Sequence, residues 1–402
     1  MTQAAERIIA CRTAALGGHV ESCPNGHVHA VHYNSCKHRS CPQCAFLQVE
    51  RWLARQRARL LDCAYFHLIF TVPSELNPYW RYNKRLLARL LFRAVRETLL
   101  ELLGDERYLG ALAGIIAALH TWGQTLGVHP HVHVLLTAGG LAADGSWREP
   151  VKSCLFPRGV VMSLFRGKLR ALLGDAAARG ELLLPPGRTL PQFRGLLNQL
   201  GRVAWNVKIL ERYRHGRGVA TYLARYVRGG PIGNGRLVSI RDGEVRFRYR
   251  DNRQWDAASG RGRWKTMPLA THAFIARVLE HVPPRGMHAV RSWGLYAASC
   301  RAELNQARAA LGQTAVAAPA GVRWQEVLER LGHGAVTRCA VCGAELITWG
   351  RFRRGQTPPA FEAMPKTAAT KLHSPVASSP RPPPAASAAT PPPIPAARPT
   401  TG

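Results

Sequence analysis

Three groups of residues in this 402-residue chain have the types and spacing to do chemistry. The first is His131-Val132-His133, inside the run Gly127-Val-His129-Pro-His131-Val-His133-Val-Leu-Leu. Alternate residues of a strand share a face, so His131 and His133 would present two imidazoles to one side while Val132 and Val134 enter a core. Such a pair is a bidentate seat for a metal ion. In the preceding apolar run His120, Trp122 and Gln124 share a parity; if the two runs form a hairpin, His120 or Gln124 can supply a third ligand.

The second group is Thr221-Tyr222-Leu-Ala-Arg225-Tyr226-Val-Arg228. On a helix Tyr222 and Tyr226 lie one turn apart on one face, with Arg225 and Arg228 close by. A Tyr-x3-Tyr pair alone more often belongs to a core; beside a histidine metal seat in an Arg-rich chain it reads as a pair of nucleophiles. A phenol, with a pKa of about 10, attacks a phosphodiester only where a cation or arginine offsets the developing charge. With a metal polarising a phosphate oxygen, a tyrosine can take over the phosphoryl group as an aryl ester. Because one ester replaces another, the exchange is reversible and needs no ATP.

The third group is a cysteine cluster. Of ten cysteines, Cys11, Cys23, Cys36, Cys41 and Cys44 fall within the first 44 residues. In a reducing compartment such clustering points to metal thiolates rather than disulfides, and Cys41-Pro-Gln-Cys44 is a tight turn of the kind that holds zinc. With His27 and His29 nearby, the candidate ligands exceed one tetrahedral site, so either one zinc leaves spares or two are bound. A second pair, Cys339-x2-Cys342-Gly, has no evident partners; Cys300 and His333 are the candidates.

The elements that must carry these groups follow from periodicity. Residues 1–60 read as a metal knot followed by a basic helix from Phe46, a zinc-binding and DNA-contacting domain. Residues 61–299 mix strands and helices: a buried strand Tyr65–Val72, one helix from Asn77 through Leu103, strands Ile115–Trp122 and His131–Thr137 joined by a turn containing Gly127 and Pro130, and helices Met162–Leu173, Phe193–Leu210 and Ala220–Val227. Val238–Arg250 reads as a hairpin on an Asp242-Gly243 turn, with Val245, Phe247 and Tyr249 alternating against Arg246, Arg248 and Arg250. Residues 300–354 hold a helical stretch and the Cys339-x2-Cys342 pair. Residues 355–402 carry 13 of the 28 prolines and should be disordered.

Composition names the partner. Lys and Arg total 55 against 24 Asp and Glu, a net charge of +31, and 47 of the 55 are Arg. Such an excess repels itself unless a polyanion neutralises it, and the guanidinium fork suits phosphate. Arg81, Arg85, Arg89 and Arg93 recur every fourth residue of the expected long helix, a stripe that without carboxylates calls for an external anion. The longest nearly uncharged apolar stretch, Leu109 to Leu119, is about half the ~20 residues a membrane span needs, and the N-terminus lacks a signal-peptide core, so an intracellular protein is expected.

Together, His131-Val132-His133, Tyr222-x3-Tyr226 and the block YNSCKHRSCPQC, with His120-Thr-Trp-Gly-Gln124, Phe274-Ile-Ala-Arg and Gly294-Leu-Tyr, resemble the two-tyrosine HUH transposases of rolling-circle insertion sequences, the insertion-sequence ninety-one type. The likeness runs from Cys11 to about Arg301. It implies an α+β fold: a five-stranded antiparallel HUH sheet with flanking helices, the histidine pair on a central strand and the tyrosine helix packed nearby. It also implies nicking of single-stranded DNA at an element end, a 5′-phosphotyrosine link, a free 3′-OH, sequential strand transfers by Tyr222 and Tyr226, and Mg2+ or Mn2+ as the working ion beside structural Zn2+. A cytoplasmic, nucleoid-associated bacterial protein would fit. Members of this group usually show a second cysteine pair after Cys23, where this chain has Cys23-Pro-Asn-Gly26-His27; either His27 replaces that ligand or the zinc count drops. A replication initiator would share the chemistry, and a zinc-dependent DNA-binding regulator would lack it.

Overall fold

The computed structural model describes residues 2–358 apart from 28, 151–154, 211, 217, 219–220, 222–229, 257–260, 318–320, 322 and 331–333. Its N-terminal part contains α1 (Thr2–Ile9), β1 (Gly18–Ser22), β2 (His29–Tyr33) and α2 (Phe46–Arg59). The central part runs β3 (Tyr65–Thr71), α3 (Asn77–Tyr82), α4 (Lys84–Gly104), β4 (Leu112–Trp122), β5 (Val128–Leu141), β6 (Trp147–Arg148), α5 (Arg158–Ala178), α6 (Leu190–Arg202) and β7 (Val207–Ile209). Then follow β8 (Leu237–Arg241), β9 (Glu244–Asp256), β10 (Arg261–Ala270), α7 (Thr271–Glu280), β11 (Val290–Gly294), α8 (Arg301–Ala310), α9 (Trp324–Arg330) and β12 (Ile347–Phe352).

The organising element is an antiparallel sheet in the order β11-β4-β5-β3-β7, with β6 paired to β5, so the histidine strand β5 is central. Strand alternation divides it into two buried faces. Leu68 and Phe70 of β3, Ile115 and Ala117 of β4, and Val132, Val134 and Leu136 of β5 pack against α4, α5 and α6 through residues such as Leu91, Val95, Phe165 and Phe193. Tyr65, Ile116, Ala118 and Leu135, of opposite parity, meet Leu53 of α2, Leu304 and Ala307 of α8, and Tyr296. Burial on both sides is why YFHLIFT reads as a continuous apolar run rather than an alternating one. On the second face the Tyr65 hydroxyl donates to Leu61 O (2.9 Å) and lies 2.5 Å from the Tyr296 hydroxyl, which accepts the Leu61 N–H (3.1 Å).

Two expected helices differ from the structure. The helix from Asn77 breaks at Asn83, whose amide donates to Tyr79 O (2.9 Å) and Leu183 O (2.7 Å) and whose Oδ1 accepts the Leu183 N–H (2.8 Å). A side chain that satisfies helix-end carbonyls and a neighbouring loop stabilises a break where local propensity favours continuity. The helix expected over Phe193–Leu210 stops at Arg202. A Thr189–Gln192 capping box starts α6, the Trp205 indole donates to Leu200 O (2.9 Å) beyond its end, and Val207–Ile209 pairs as a strand with β3. The turn between β4 and β5 occupies residues 123–127; Pro130 lies inside β5, beside the bulge between His120 and Trp122, and its carbonyl accepts the Val72 N–H (3.0 Å).

The expected hairpin is present on Asp242 (φ +53°) and Gly243 (φ +71°), and β10 adds a third strand. Phe247, Ile232 and Leu126 form its core, so this small sheet docks on the β4–β5 turn. A third sheet, β12-β1-β2, joins the two ends of the described chain. The expected disordered tail lies outside the described residues from position 359 onward.

Candidate active site and metal centres

His120 stands directly opposite His131 across the β4–β5 ladder, and Ala118 opposite His133, so all three imidazoles share one sheet face. Ring centroids are 4.2 Å apart for His120–His133, 4.8 Å for His131–His133 and 5.1 Å for His120–His131. One ring nitrogen of each lies within 4.8 Å of the others, close enough to share an ion. Burial holds His131 down to about 4; for His120 and His133, burial and then the neighbouring imidazoles push the pKa well below the ordinary value. All three are therefore neutral near pH 7, the form that binds a cation without first losing a proton. His131 is partly exposed, while His120 and His133 are buried.

Hydrogen bonds select the nitrogen each ring offers. His131 Nδ1 is 2.6 Å from His129 O, so it carries the proton and leaves Nε2 open. His133 Nδ1 is 2.8 Å from Nε2 of His67 on β3, which turns His133 Nε2 toward the cluster. Sequence reasoning missed His67. Its signal was an imidazole inside an otherwise apolar strand; its value depends on β3 pairing with β5, where Ile69 faces His133 and sets His67 on the diagonal. The Gln124 Oε1 accepts the Arg250 N–H of the small basic sheet (3.3 Å), and its carbonyl binds Arg236, just before β8.

Tyr222, Tyr226, Arg225 and Arg228 lie outside the described residues. Described residues around them lie on the histidine side of the sheet. Gly216 packs so closely on Tyr65 that a Cβ there would be 2.8 Å from the ring, Arg57 of α2 donates to the Thr221 hydroxyl (3.3 Å), and Gly230 adjoins Ser40 O.

The cysteines separate into two clusters, and two of the N-terminal candidates, Cys23 and His27, group with the pair near the other end of the chain. Cys11, Cys36, Cys41 and Cys44 form one, with Cys36 and Cys44 sulfurs 3.5 Å apart. A hydrogen bond from Cys44 first of all brings the Cys41 thiol down to about 5, and the same contact pushes Cys44 up; burial raises Cys11 to about 11. Four sulfurs this close share charge poorly unless a cation neutralises them, so this tetrad fits zinc. Cys23 and His27 belong instead with Cys339 and Cys342. Cys300 is not in that group, and His333 lies outside the described residues.

The arginine stripe is also corrected: it does not lack carboxylates. Arg81 pairs with Glu280 (2.5 Å), Arg89 with Glu181 (2.8 Å) and Arg93 with Glu97 (2.7 Å), while Arg85 donates to Arg285 O (2.5 Å). These partners come mostly from distant segments that tertiary folding brings alongside. Arg246 and Arg248 project from the solvent face of β9, opposite buried Val245 and Phe247; Arg246 contacts Glu244 (2.6 Å).

Comparison with known proteins matches residues 114–303 to a transposase family model (Y2_Tnp) and residues 1–72 to the transposase zinc-binding domain of the insertion-sequence ninety-one type. A protein of Sinorhizobium fredii described as a transposase is 38% identical over 360 residues, covering 87% of this chain and 89% of that protein. The chain belongs to the transposases of the insertion-sequence ninety-one type. The transposase for insertion sequence element IS801 of Pseudomonas savastanoi is 29% identical over 348 residues, 85% of this chain and 81% of that protein. The transposase model spans β4 and β5, so the histidine cluster lies within it, and the zinc-binding match contains all of the four-cysteine cluster. Being a transposase, the chain acts on DNA. Among the described residues no helix is long and apolar enough to cross a membrane.

Proposed function

We propose that this transposase nicks and rejoins single-stranded DNA at an element end in a rolling-circle reaction, through a 5′-phosphotyrosine intermediate. Tyr222 and Tyr226 are the nucleophiles, and His120, His131 and His133 hold the working ion. The observation that carries the reading is the convergence of three imidazoles on the central strands, on the sheet face beside which Thr221, the neighbour of Tyr222, lies. Bound Mg2+ or Mn2+ would polarise a non-bridging phosphate oxygen, and an all-imidazole seat makes Mn2+ the more comfortable ion. A phenol oxygen forms the new bond to phosphorus, its proton passes to solvent, and the 3′-oxygen departs and is protonated to a free 3′-OH. The reverse exchange, onto the 3′-OH of another strand, restores the phenol. His129 and His67 contribute by orienting the His131 and His133 rings.

Arg225, Arg228, Arg246 and Arg248 contact phosphates along the bound strand. Arg81, Arg89 and Arg93 keep more than half of each side chain exposed, and surface ion pairs are worth only about 0–1 kcal/mol, so a phosphate can compete for them. The test is incubation with Mn2+ and a labelled single-stranded element end, followed by a denaturing gel. A covalent adduct is expected; Tyr222→Phe with Tyr226→Phe should abolish it, and His131→Ala with His133→Ala should nearly do so. Absence of an adduct with the unaltered protein, or its persistence at full level in either double variant, rules out this chemistry.

A further inference from the structure

The lone Cys339-x2-Cys342 pair is far outside the zinc-binding match, yet it meets Cys23 and His27. Cys23 and Cys342 sulfurs are 3.5 Å apart, and Cys23 Sγ is 3.8 Å from His27 Nδ1. We propose that these four residues form a second structural zinc site, in which a metal staples the C-terminal strand to the N-terminal domain.

Three observations support it independently of the strand-transfer chemistry. First, the ligand atoms number four, three sulfurs and one imidazole nitrogen, all within 4.8 Å of one another, the donor set and number that zinc takes in closed structural sites. Second, both halves are built alike. The Asn25 N–H points to Cys23 Sγ (3.4 Å) and the Val341 N–H to Cys339 Sγ (3.4 Å), and each turn holds a left-handed glycine, Gly26 at φ +75° and Gly343 at φ +72°. The Cys36–His38 turn of the four-cysteine cluster makes the same N–H to sulfur contact (3.4 Å), so the device recurs in the other cysteine cluster, which lies wholly within the match to the zinc-binding domain. Third, the backbone brings the halves together without reference to the sulfurs. Ser22, at the end of β1, pairs with Ile347, at the start of β12, which sets Cys23 next to the turn carrying Cys342. The Cys-x3-His spacing thus makes His27 the replacement for the missing cysteine, and the remaining pair comes from the other end of the chain.

The staple has a job to do. β12 has one strand neighbour, and the stretch between α8 and β12 contributes few buried side chains among its described residues, Val327, Thr337 and Cys339 among them. A metal bond therefore replaces the packing that would otherwise dock this segment.

The test uses the full chain carrying His131→Ala with His133→Ala, which removes the imidazole seat for a competing ion, purified with zinc and measured by elemental analysis. About two equivalents are expected for this chain and about one when Cys339→Ser with Cys342→Ser is added. In that variant limited proteolysis should cut between residues 311 and 346 at least tenfold faster, with the central sheet still protected. His27→Cys should keep both equivalents, and His27→Ala should lose one. Should the cysteine double variant fail to fold, cobalt substitution of the chain with only the two histidines replaced decides: two equivalents with a mixed sulfur–nitrogen spectrum beside an all-sulfur one support the site, and a single all-sulfur equivalent overturns it. Two equivalents retained without Cys339 and Cys342 overturn it as well.

Discussion

Replacing His67 by leucine should weaken the ion seat without touching any of its three proposed ligands. For His133 to offer Nε2 to an ion, its Nδ1 must carry the proton, and the acceptor for that proton is His67 Nε2 at 2.8 Å. His67 is itself 6% exposed, so water does not readily replace it. Leucine removes this acceptor, and losing one partner of a buried hydrogen bond costs about 1–3 kcal/mol of folding stability. It also frees the ring to adopt the other tautomer, and loss of such an orienting partner typically lowers metal affinity about 10–100-fold, or roughly 1.4–2.8 kcal/mol. The assay is Mn2+ titration followed by paramagnetic resonance of the free ion, with zinc content measured alongside. Mn2+ affinity should fall while zinc content stays constant, and His67→Gln, which restores an acceptor, should recover much of the loss. Unchanged Mn2+ affinity in His67→Leu would refute the orienting role.

Two further outcomes follow from the same geometry. Burial lowers His67 and His131 from 6.5 to about 4, so in the ion-free protein both should stay neutral down to about pH 5, read by nitrogen-15 NMR of labelled histidines. The unfolded chain binds more protons than the folded one in that window, so the stability these neutral rings contribute is complete above about pH 6.5 and is lost as pH falls through about 4, at up to about 1.4 kcal/mol per pH unit for His67. Imidazolium signals for these residues at pH 5.5 would contradict the burial argument. Gly294→Ala should destabilise the chain by about 3 kcal/mol or more in urea unfolding, because Gly294 sits at φ +57° and a Cβ would lie 1.9 Å from Ala113 O; a loss below about 0.5 kcal/mol would mean the β11–β4 edge is not as described.

Residue types and local spacing carried most of what could be read in advance. The period-two alternation around His131 and His133 made the strand and its facing imidazoles legible, the Asp242-Gly243 turn announced its hairpin, and the crowded cysteines announced a metal domain, because each of these signals lies within a few residues. What remained hidden depended on contacts between distant segments. His67 matters only through strand pairing across 66 positions, Cys23 finds Cys342 across 319, and the arginine stripe meets Glu181 and Glu280 only after folding. The break at Asn83 and the end of α6 at Arg202 were likewise set by partners elsewhere, Leu183 and the β3 edge. Local backbone preference repeats along a strand or helix and so is written in neighbouring residues, whereas a ligand shell or an ion pair needs only a short distance in space, which chain connectivity leaves open until the sheets assemble.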